Sequence, residues 1–432
     1  MPTERAPAGA AITKADPPAN ASGLAATWQL LLGMGILMLG AGLQGTEVSL
    51  RATLEGFPAP VTGAIMSCYY LGYMAGTAAA PRLVRQVGHI RVFAAMAAIA
   101  SATILVQGMF VHPLPWALLR LISGLCFAGI YVVAESWLND RASRGSRGGL
   151  LAVYMAVLYI GLGSSQFLLI PSDPLTSTPF MLVAVLISLA IVPIVIAAQR
   201  APEIELPRKV RYRELYANSP LGVVAVTVSG MISSNIFSMG PVYARLSGFG
   251  TSGVATFMGV SVLSAVITQY PVGRLSDRMD RRTVIAAVCI LATLCAAALA
   301  LLHELPHPLF LALTGVFSGL ALTLYSLAVS HVNDHLEPAQ MVAASSALLR
   351  LNGCGAAVSP VLVGALIAGF GPSAYFAALA ALTALLTVHD LWRKMRRRPV
   401  PRDRKRPFVA AQPQAAPGQI ASPRTNLTRG GD

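Results

Sequence analysis

The 432-residue sequence is poor in charged residues, which make up 12% of the chain, about half the share that is usual in a soluble domain. Hydrophobic residues account for 55%, and this balance excludes a water-soluble enzyme. The sequence also lacks a Gly-x-x-x-x-Gly-Lys-Ser/Thr phosphate loop, which excludes an ATP-driven activity of this chain alone. Within the apolar runs no nucleophile, base and orienting residue converge. We therefore expect a membrane protein that is not an enzyme.

The cysteines offer neither a disulfide framework nor a metal site. All five lie inside apolar runs, with no Cys-x-x-Cys pair and no neighbouring His at the spacing of metal ligands. No metal and no cofactor is therefore expected. A net charge of +14 would suggest a nucleic-acid partner in a soluble protein, but the basic residues here are confined to short segments between apolar runs. We expect no nucleic-acid partner.

Long apolar runs are what the sequence has in abundance. A helix needs about 20 apolar residues to cross a hydrocarbon core of roughly 30 Å. The runs have this length and lack the alternation of barrel strands, so they predict an all-α polytopic membrane protein with twelve transmembrane helices. The predicted spans lie near residues 28–48, 60–80, 92–111, 117–138, 150–170, 179–198, 221–243, 252–272, 283–302, 308–330, 341–366 and 373–392.

Basic residues fall almost entirely on one side of the predicted spans. With both termini in the cytoplasm, 28 of the 32 Lys and Arg residues are cytoplasmic, and only Arg51 and Arg245 lie outside. One shift along the sequence superimposes the turn after span two on the turn after span eight, which favours two pseudo-symmetric six-helix bundles. The predicted domains are a disordered tail (1–27), a first bundle (28–198), a cytoplasmic linker (199–220), a second bundle (221–392) and a basic disordered tail (393–432).

The strongest local motif is the charged turn that follows span eight, Gly273-Arg274-Leu275-Ser276-Asp277-Arg278-Met279-Asp280-Arg281-Arg282. This turn resembles the cytoplasmic signature of the major facilitator superfamily, Gly-x-Leu-Ala-Asp-Arg-x-Gly-Arg-Arg, with Asp280 in place of the second Gly. The copy in the first half is degraded, with Pro81 for Gly and Arg85 for Asp. A second resemblance lies in span four, where Arg120 and Gly124 match the family's Arg-x-x-x-Gly signature.

The resemblance implies a gate at the cytoplasmic side and supplies no substrate. In the family, the Asp at the position of Asp277 braces span eleven when that side is closed. Glu135, at the inner end of span four, is expected to pair with Arg141, Arg144 or Arg147 and to join the gate. The alternative for the whole turn is that its charges only set topology. The predicted gating residues are Gly273, Arg274, Asp277, Arg278, Arg281, Arg282 and Glu135.

Two arginines and one glutamate lie inside or beside predicted spans. Arg350 is about ten residues from the start of span eleven, near the membrane centre, where a guanidinium faces a polar cavity or a partner. We expect it to contact an anionic group of a substrate, with an internal ion pair or snorkelling toward a membrane interface as the alternative. The resemblance links Arg120 to proton handling or to anchoring charge in the cavity, against a structural role. Glu47 is the candidate proton carrier, or else a loop residue near Arg51.

Neutral polar residues complete the predicted site. The family architecture places spans one, four, seven and ten around the cavity and spans two, five, eight and eleven at its sides. Taken singly, such a residue is more often an interhelical hydrogen bond than a ligand contact. The predicted substrate-binding residues are Arg350, Asn235, Tyr325, Tyr154, Asn352 and Gln269.

These features predict a secondary active transporter that moves a small solute, with an anion favoured by Arg350, by proton-coupled alternating access. The alternatives are a facilitative uniporter, which needs no titrating carboxylate, and a transporter-like sensor without net flux, which the degraded first-half signature keeps open. The expected partners are the solute and the lipid bilayer, with anionic lipids at the basic C-terminal tail. A monomer is expected. The low share of lysine relative to arginine indicates a GC-rich bacterial genome, and hence the inner (plasma) membrane.

Overall fold

A computed structural model describes residues 27–141, 147–197, 212–302 and 305–396, together with residues 408, 410 and 411. Within this part of the chain all regular structure is helical. A 3-10 helix, Ser165–Leu169, extends α5. The α-helices are α1 (Trp28–Leu54), α2 (Ala59–Val87), α3 (His89–Met109), α4 (Pro113–Arg141), α5 (Arg147–Ser164), α6 (Thr178–Ala197), α7 (Tyr212–Asn218), α8 (Pro220–Ser238), α9 (Gly240–Leu246), α10 (Thr251–Arg278), α11 (Arg281–Leu301), α12 (His307–Asn333), α13 (Pro338–Phe370) and α14 (Ala374–Arg396).

Eleven of the described helices are long and apolar enough to cross a membrane. One further long helix, α2, has 29 residues, but Tyr69, Tyr70 and Tyr73 lower its mean hydropathy. α7 and α9 have 7 residues each and are too short to span. The predicted all-α membrane fold is confirmed, whereas the count of twelve spans and the cytoplasmic position of both termini stay predictions.

The long helices pack as two sets with the same internal pattern. In the first set, α1 packs against α5 and α6, α2 against α4, and α3 against α4 and α6. In the second set, α8 packs against α13 and α14, α10 against α12, and α11 against α12 and α14. An internal duplication of a six-helix unit produces this repetition in chain order. The two halves meet where α2 packs on α13 and α5 on α10.

The halves are in close contact at one end of the bundle, which we call the outer end because the charge pattern assigns it to the outside. There Gly63 of α2 lies against the backbone of Pro360 in α13, and Gly364 of α13 lies against the backbone of Ala59. A Cβ on either glycine would collide with the opposing main chain. Small residues of this kind let membrane helices approach closely, and they close the outer end.

The opposite end, the inner end, carries the α10–α11 turn. Asp280 caps α11 there, because its Oδ1 accepts a hydrogen bond from the backbone N–H of Arg282 at 3.2 Å. At the same end Glu337 and Gln340 form a capping box that starts α13. Toward the inner end, α5 and α10 diverge from their contact at Gly163 and Leu263, and a cavity of 380 Å³ lies between them. Within the described residues the outer end is therefore closed and the inner end holds a cavity, an arrangement that we call inner-open.

The predicted domain boundaries stay predictions. The predicted tail 1–27 lies outside the described residues except for Thr27, and most of the linker 199–220 lies outside them as well. The described part of that linker contains α7, and α14 continues to Arg396. Beyond α14 the described residues are Phe408, Ala410 and Ala411. Phe408 and Ala410 line the inner cavity, and Ala411 is bonded to Ser326 of α12.

Candidate functional site

Arg120 of α4 is buried in the first half and does not reach the outer surface. Its guanidinium carbon lies 4.5 Å from the centre of the Tyr69 ring on α2, which is cation–π geometry. No described residue forms an ion pair or hydrogen bond with Arg120, and its Nε has no partner. A buried cation without a counter-charge is costly, so this position favours an anionic ligand.

Two glycines bring Arg120 and Tyr69 together. Gly124, one turn along α4 from Arg120, lies directly on the backbone carbonyl of Tyr69, and Gly72 of α2 lies on the carbonyl of Leu121. A Cβ at either position would overlap the facing main chain. The close approach of α2 and α4 therefore requires glycine at both positions. This gives the Arg-x-x-x-Gly signature a physical reason in this chain.

A cavity of 50 Å³ opens beside Arg120. Its walls come from α1, α2, α4 and α5 of the first half, and Phe237 of α8 closes it from the second half. The volume is that of a few water molecules or one carboxylate group, so it can hold a charged end of a solute rather than a whole metabolite. The lining residues that carry the argument are Arg120, Tyr69, Tyr70, Gln44, Thr46 and Phe237.

The α1 wall of this small cavity presents two polar side chains in fixed positions. Gln44 donates from Nε2 to Ser123 Oγ on α4 at 3.1 Å. Thr46 donates from Oγ1 to Gln166 Oε1, in the 3-10 helix after α5, at 2.6 Å. Both bonds are buried and join elements of the first half. They make the wall around Arg120 polar and rigid.

Glu47 is fully buried within α1, one turn beyond Gln44. Since α1 continues to Leu54, the interpretation of Glu47 as a loop residue is wrong. Neither carboxylate oxygen has a hydrogen-bond partner among the described residues. Arg51 and Asp173 are the charged groups close enough to interact with it. An enclosed carboxyl group of this kind fits the predicted proton carrier, and that role stays a prediction.

Glu135 is also buried. The side chains of Arg141, Arg144 and Arg147 lie outside the described residues, so the predicted pairing of Glu135 with one of them stays a prediction. Because α4 continues to Arg141, Glu135 lies inside the helix and faces the partner half. It interacts electrostatically with Tyr73 of α2, Tyr154 of α5 and Tyr325 of α12. Among the described residues the hydroxyls of Tyr154 and Tyr325 have no hydrogen-bond partner. These predicted binding residues therefore remain free to contact a ligand between the halves.

Two predicted binding residues, both asparagines, hold helices of the second half together. Asn235 of α8 donates from Nδ2 to Ser359 Oγ on α13 at 2.6 Å. Asn352 of α13 donates from Nδ2 to the carbonyl of Val226, at 3.0 Å, and to Ser229 Oγ, at 3.2 Å, both on α8. These are the interhelical hydrogen bonds that the sequence offered as the alternative. Their contact with a solute stays a prediction.

Arg350 lies apart from the other predicted binding residues. It is exposed on α13, on the same stripe as Cys354 and Val358, one and two turns further on. It forms no ion pair or hydrogen bond with any residue that the structure describes. The alternative of an internal ion pair is therefore wrong within the described chain. Among the described residues, Arg120 is a buried arginine without an ion pair or hydrogen bond.

Arg281 is the centre of a buried network at the inner end. Its Nε donates to Ser276 Oγ at 2.8 Å, and its Nη1 donates to the carbonyl of Ser330 and to Asp334 Oδ2, both at 2.7 Å. Asp277 lies 3.3 Å from its Nη2. The network joins α10, α11 and α12. Arg281 therefore does more than set topology, because a buried pair of this geometry fixes three helices.

The other signature residues surround this network. Arg274 stacks on the ring of Tyr270 at 5.4 Å, and Arg278 is exposed. Arg282 is largely buried, with its Nε 3.7 Å from Asp280. Their gating role stays a prediction.

The inner cavity of 380 Å³ borders the signature turn. On α10 it is lined by Gln269, Gly273, Arg274 and Asp277, and on α5 by residues between Leu151 and Tyr159. Asp277 contacts Arg281 and the C-terminal segment, and no contact with α13 is found among the described residues. The bracing of span eleven that the resemblance implies is absent from this inner-open conformation.

Several residues of these sites were not singled out from the sequence. Asp334 and Ser330 complete the Arg281 network, Ser123 fixes Gln44, and Ser326 binds Gln269. Asp334 had one available signal, since a carboxylate at the inner end of a span needs a cation. The serines carry no such signal, because serine is common in membrane helices for packing alone.

Comparisons with known proteins agree with this architecture. The profile of the Major Facilitator Superfamily matches residues 30–348. The chain belongs to the Major Facilitator Superfamily. An uncharacterised MFS-type transporter of Enterobacter sp. (strain 638) is 28% identical over 377 residues, covering 86% of this chain and 96% of that protein.

Solved structures of the superfamily show the same fold. The nucleoside transporter NupG has a TM-score of 0.70 at 14% identity and covers 86% of this chain and 100% of its own. A bacterial homologue of the human lysosomal transporter Spinster, in an inward-facing and unoccupied conformation, has a TM-score of 0.64 at 12% identity over 85% of this chain and 95% of its own. At these identities the likeness concerns the fold alone.

Membership of the superfamily confirms several sequence-based predictions. The protein is a multi-pass transporter of the bacterial inner membrane that carries a small-molecule solute across a lipid bilayer. The predicted family, membrane fold and location are confirmed. The identity of the solute, the coupling ion and the monomeric state stay predictions, and the basic tail expected to contact anionic lipids lies largely outside the described residues.

Proposed function

We propose that this MFS protein is a secondary active transporter that moves a small anionic solute by alternating access, coupled to protons. The observation that carries the proposal is Arg120, a buried cation with no counter-charge beside a cavity between the two halves. A carboxylate or phosphate on the solute would supply that counter-charge. Bidentate hydrogen bonds to a guanidinium are geometrically specific.

The surroundings of Arg120 support a binding role over a structural one. A structural arginine in a membrane bundle pairs with a carboxylate or with backbone carbonyls, as Arg281 does. Arg120 stacks on the face of Tyr69 and forms no hydrogen bond with a described residue, which leaves its donors for a ligand. Thr46 and Tyr70 on the same cavity wall add neutral polar atoms. We therefore assign the anionic anchor to Arg120 rather than to the exposed Arg350.

The arrangement of the halves supports alternating access. Glycine contacts between α2 and α13 close the outer end, while α5 and α10 stand apart at the inner end. Rocking of the two halves about their shared interface would open one end as it closes the other. Glu135 and Tyr325 lie on opposite sides of that interface, so their separation would change with each cycle.

Two enclosed carboxyl groups support proton coupling. Glu47 lies in the outer part of the first half, and Glu135 lies between the halves closer to the inner end. A carboxyl group that is enclosed in one conformation and wetted in another changes its protonation with the conformation. Protons would then be carried as the transporter cycles. We favour Glu47, which is enclosed in α1 one turn beyond the cavity-wall residue Gln44.

The test is transport by purified protein in liposomes that contain a pH-sensitive dye, challenged with pools of organic anions, neutral metabolites and cations. We expect a dye response to an anion pool only. Arg120→Gln should lose that response, and Arg350→Gln, the matched change of the other arginine within a span, should keep it.

Three outcomes would each contradict a part of the proposal. Equal responses of wild type and Arg120→Gln to an anion would remove Arg120 from the binding site. A response to neutral solutes alone would remove the anionic solute. Solute uptake that ignores an imposed pH gradient would favour the facilitative uniporter.

A further inference from the structure

The described residues beyond α14 occupy the inner entrance of the molecule. Phe408, Ala410 and Ala411, which we call the C-terminal plug, lie between α5 of the first half and α10 and α12 of the second. Phe408 and Ala410 form part of the wall of the 380 Å³ inner cavity. A segment of the chain's own C-terminal region therefore stands where a solute would enter or leave.

Ala411 is the most deeply placed part of the C-terminal plug, and it is fully buried. Its backbone N–H donates to Ser326 Oγ at 3.0 Å, and its carbonyl accepts from the same hydroxyl at 2.8 Å. Gln269 donates to Ser326 Oγ from the facing helix at 2.9 Å. The pair Gln269 and Ser326 thus holds a main-chain amide between α10 and α12.

Phe408 docks on the signature turn. Its backbone N–H donates to Asp277 Oδ1 at 2.8 Å. Its ring covers Gly273, where a Cβ would come within 2.6 Å of the ring carbon Cδ1. The missing side chain of Gly273 therefore leaves room for the Phe408 ring. Asp277, which the resemblance implies braces span eleven, binds the C-terminal plug here.

We propose that the C-terminal plug is an autoinhibitory contact that occupies the inner entrance and must leave before solute passes. The contacts of the three described residues are neutral hydrogen bonds and ring packing, and hydrogen bonds of this kind contribute only about 0.5–1.5 kcal/mol each. When the inner end closes, Asp277 would exchange the Phe408 amide for α13. The consequence for uptake rests on the proposed transport function, but the docking itself does not and is tested without a solute.

The first experiment measures access to the inner cavity. Ala156→Cys places a thiol in the cavity wall. The same chain carries Cys68→Ser and Cys354→Ser, which remove the two accessible native thiols. Inside-out vesicles are then labelled with a membrane-impermeant maleimide. Ala411→Pro removes the N–H that binds Ser326, and Ala415→Pro is the matched change four residues further along.

We expect Ala411→Pro to speed labelling at residue 156 by about fivefold, since loss of one neutral hydrogen bond shifts an equilibrium by roughly that factor. Ala415→Pro should label like the parent. A cysteine at Gln86, on the exposed inner end of α2, should label equally in every background. Equal labelling at residue 156 in both proline variants would overturn the docking of the plug.

The second experiment locks the plug in place. Ser326→Cys combined with Ala411→Cys should form a disulfide on mild oxidation, detected by the mass of the peptide pair, and neither single variant should do so. Failure to form this bond in a folded protein would overturn the docking. In liposomes, oxidation of the double variant should stop solute movement, and a reductant should restore it. Undiminished movement through cross-linked protein would overturn autoinhibition while leaving transport itself intact.

Discussion

The two halves of the molecule share one helix-packing pattern but differ in how a buried arginine is paired. In the second half, the hydrogen bonds of Asn235 and of Arg281 are made within that half. Asn235 binds Ser359, and Arg281 binds Asp334. In the first half, Arg120 and Glu47 are buried with no hydrogen-bond or ion-pair partner among the described residues. The halves therefore differ in what they leave available for chemistry.

This difference assigns different tasks to the halves. Satisfied polar networks fix the relative position of helices, and they suit a half that moves as a rigid body against its partner. Unpaired buried charges cost stability and are retained where a ligand or a proton completes them. Under the proposed function, the second half would supply the rigid frame, and the first half would supply the charges for solute and proton.

The largest effect should come from removing the buried ion pair between Arg281 and Asp334. Arg281→Met leaves the buried Asp334 without its cation, and breaking a buried pair on one side costs about 3–5 kcal/mol. We expect a large fall in the thermal unfolding temperature of the detergent-purified protein. Arg278→Met, three residues earlier and exposed, should unfold like the wild type. A stable Arg281→Met protein would show that the second half is not held by this network.

The next largest effect should come from disturbing the close α2–α4 contact beside Arg120. Gly124→Ala places a methyl group on the Tyr69 carbonyl, and overpacking of this kind costs about 1–3 kcal/mol. Since α2 and α4 must separate, Arg120 should lose its stacking and the protein should also bind solute more weakly. Gly149→Ala, at an open position with nothing within 4 Å, is the matched control. Unchanged stability and binding in Gly124→Ala would contradict the close α2–α4 packing.

The sequence predicted the features that depend on composition and local pattern. Apolar runs and a charged turn are local signals, and both the membrane fold and the family follow from them. The sequence predicted the ends of the helices less accurately. α1 extends to Leu54 rather than to 48, because Arg51 and Glu55 pair one helical turn apart at 2.6 Å and let the helix continue past its apolar stretch.

The binding site was harder to predict, because it depends on the rotation of each helix. Each residue turns a helix by about 100°, so position along a span does not tell whether a side chain faces lipid, cavity or neighbour. Arg350 and Arg120 both lie within spans, yet Arg350 is exposed and Arg120 is buried. Likewise no local signal connects Arg281 with Asp334. Arg281 begins α11, whereas Asp334 follows the end of α12, 53 residues later in the sequence.

A smaller and more selective effect should come from the proton candidate in the first half. Glu47→Gln keeps the size of the side chain and removes its titration, so we expect a folded protein that no longer accumulates solute against a gradient when a pH difference is imposed. Exchange of labelled for unlabelled solute, which needs no net proton movement, should persist. Glu55→Gln, on the partly exposed end of α1, is the control. Accumulation by Glu47→Gln would move the coupling role to Glu135.

The smallest effect should come from removing one hydrogen bond of the rigid half. Asn352→Ala loses the bonds to Val226 and Ser229, and interhelical hydrogen bonds in membranes contribute about 0.6–2 kcal/mol. We expect a slightly lower unfolding temperature with solute affinity unchanged, whereas Arg120→Gln should lower affinity by about tenfold or more with little change in stability. An affinity loss in Asn352→Ala as large as that in Arg120→Gln would extend the binding site into the second half and end the division of tasks between the halves.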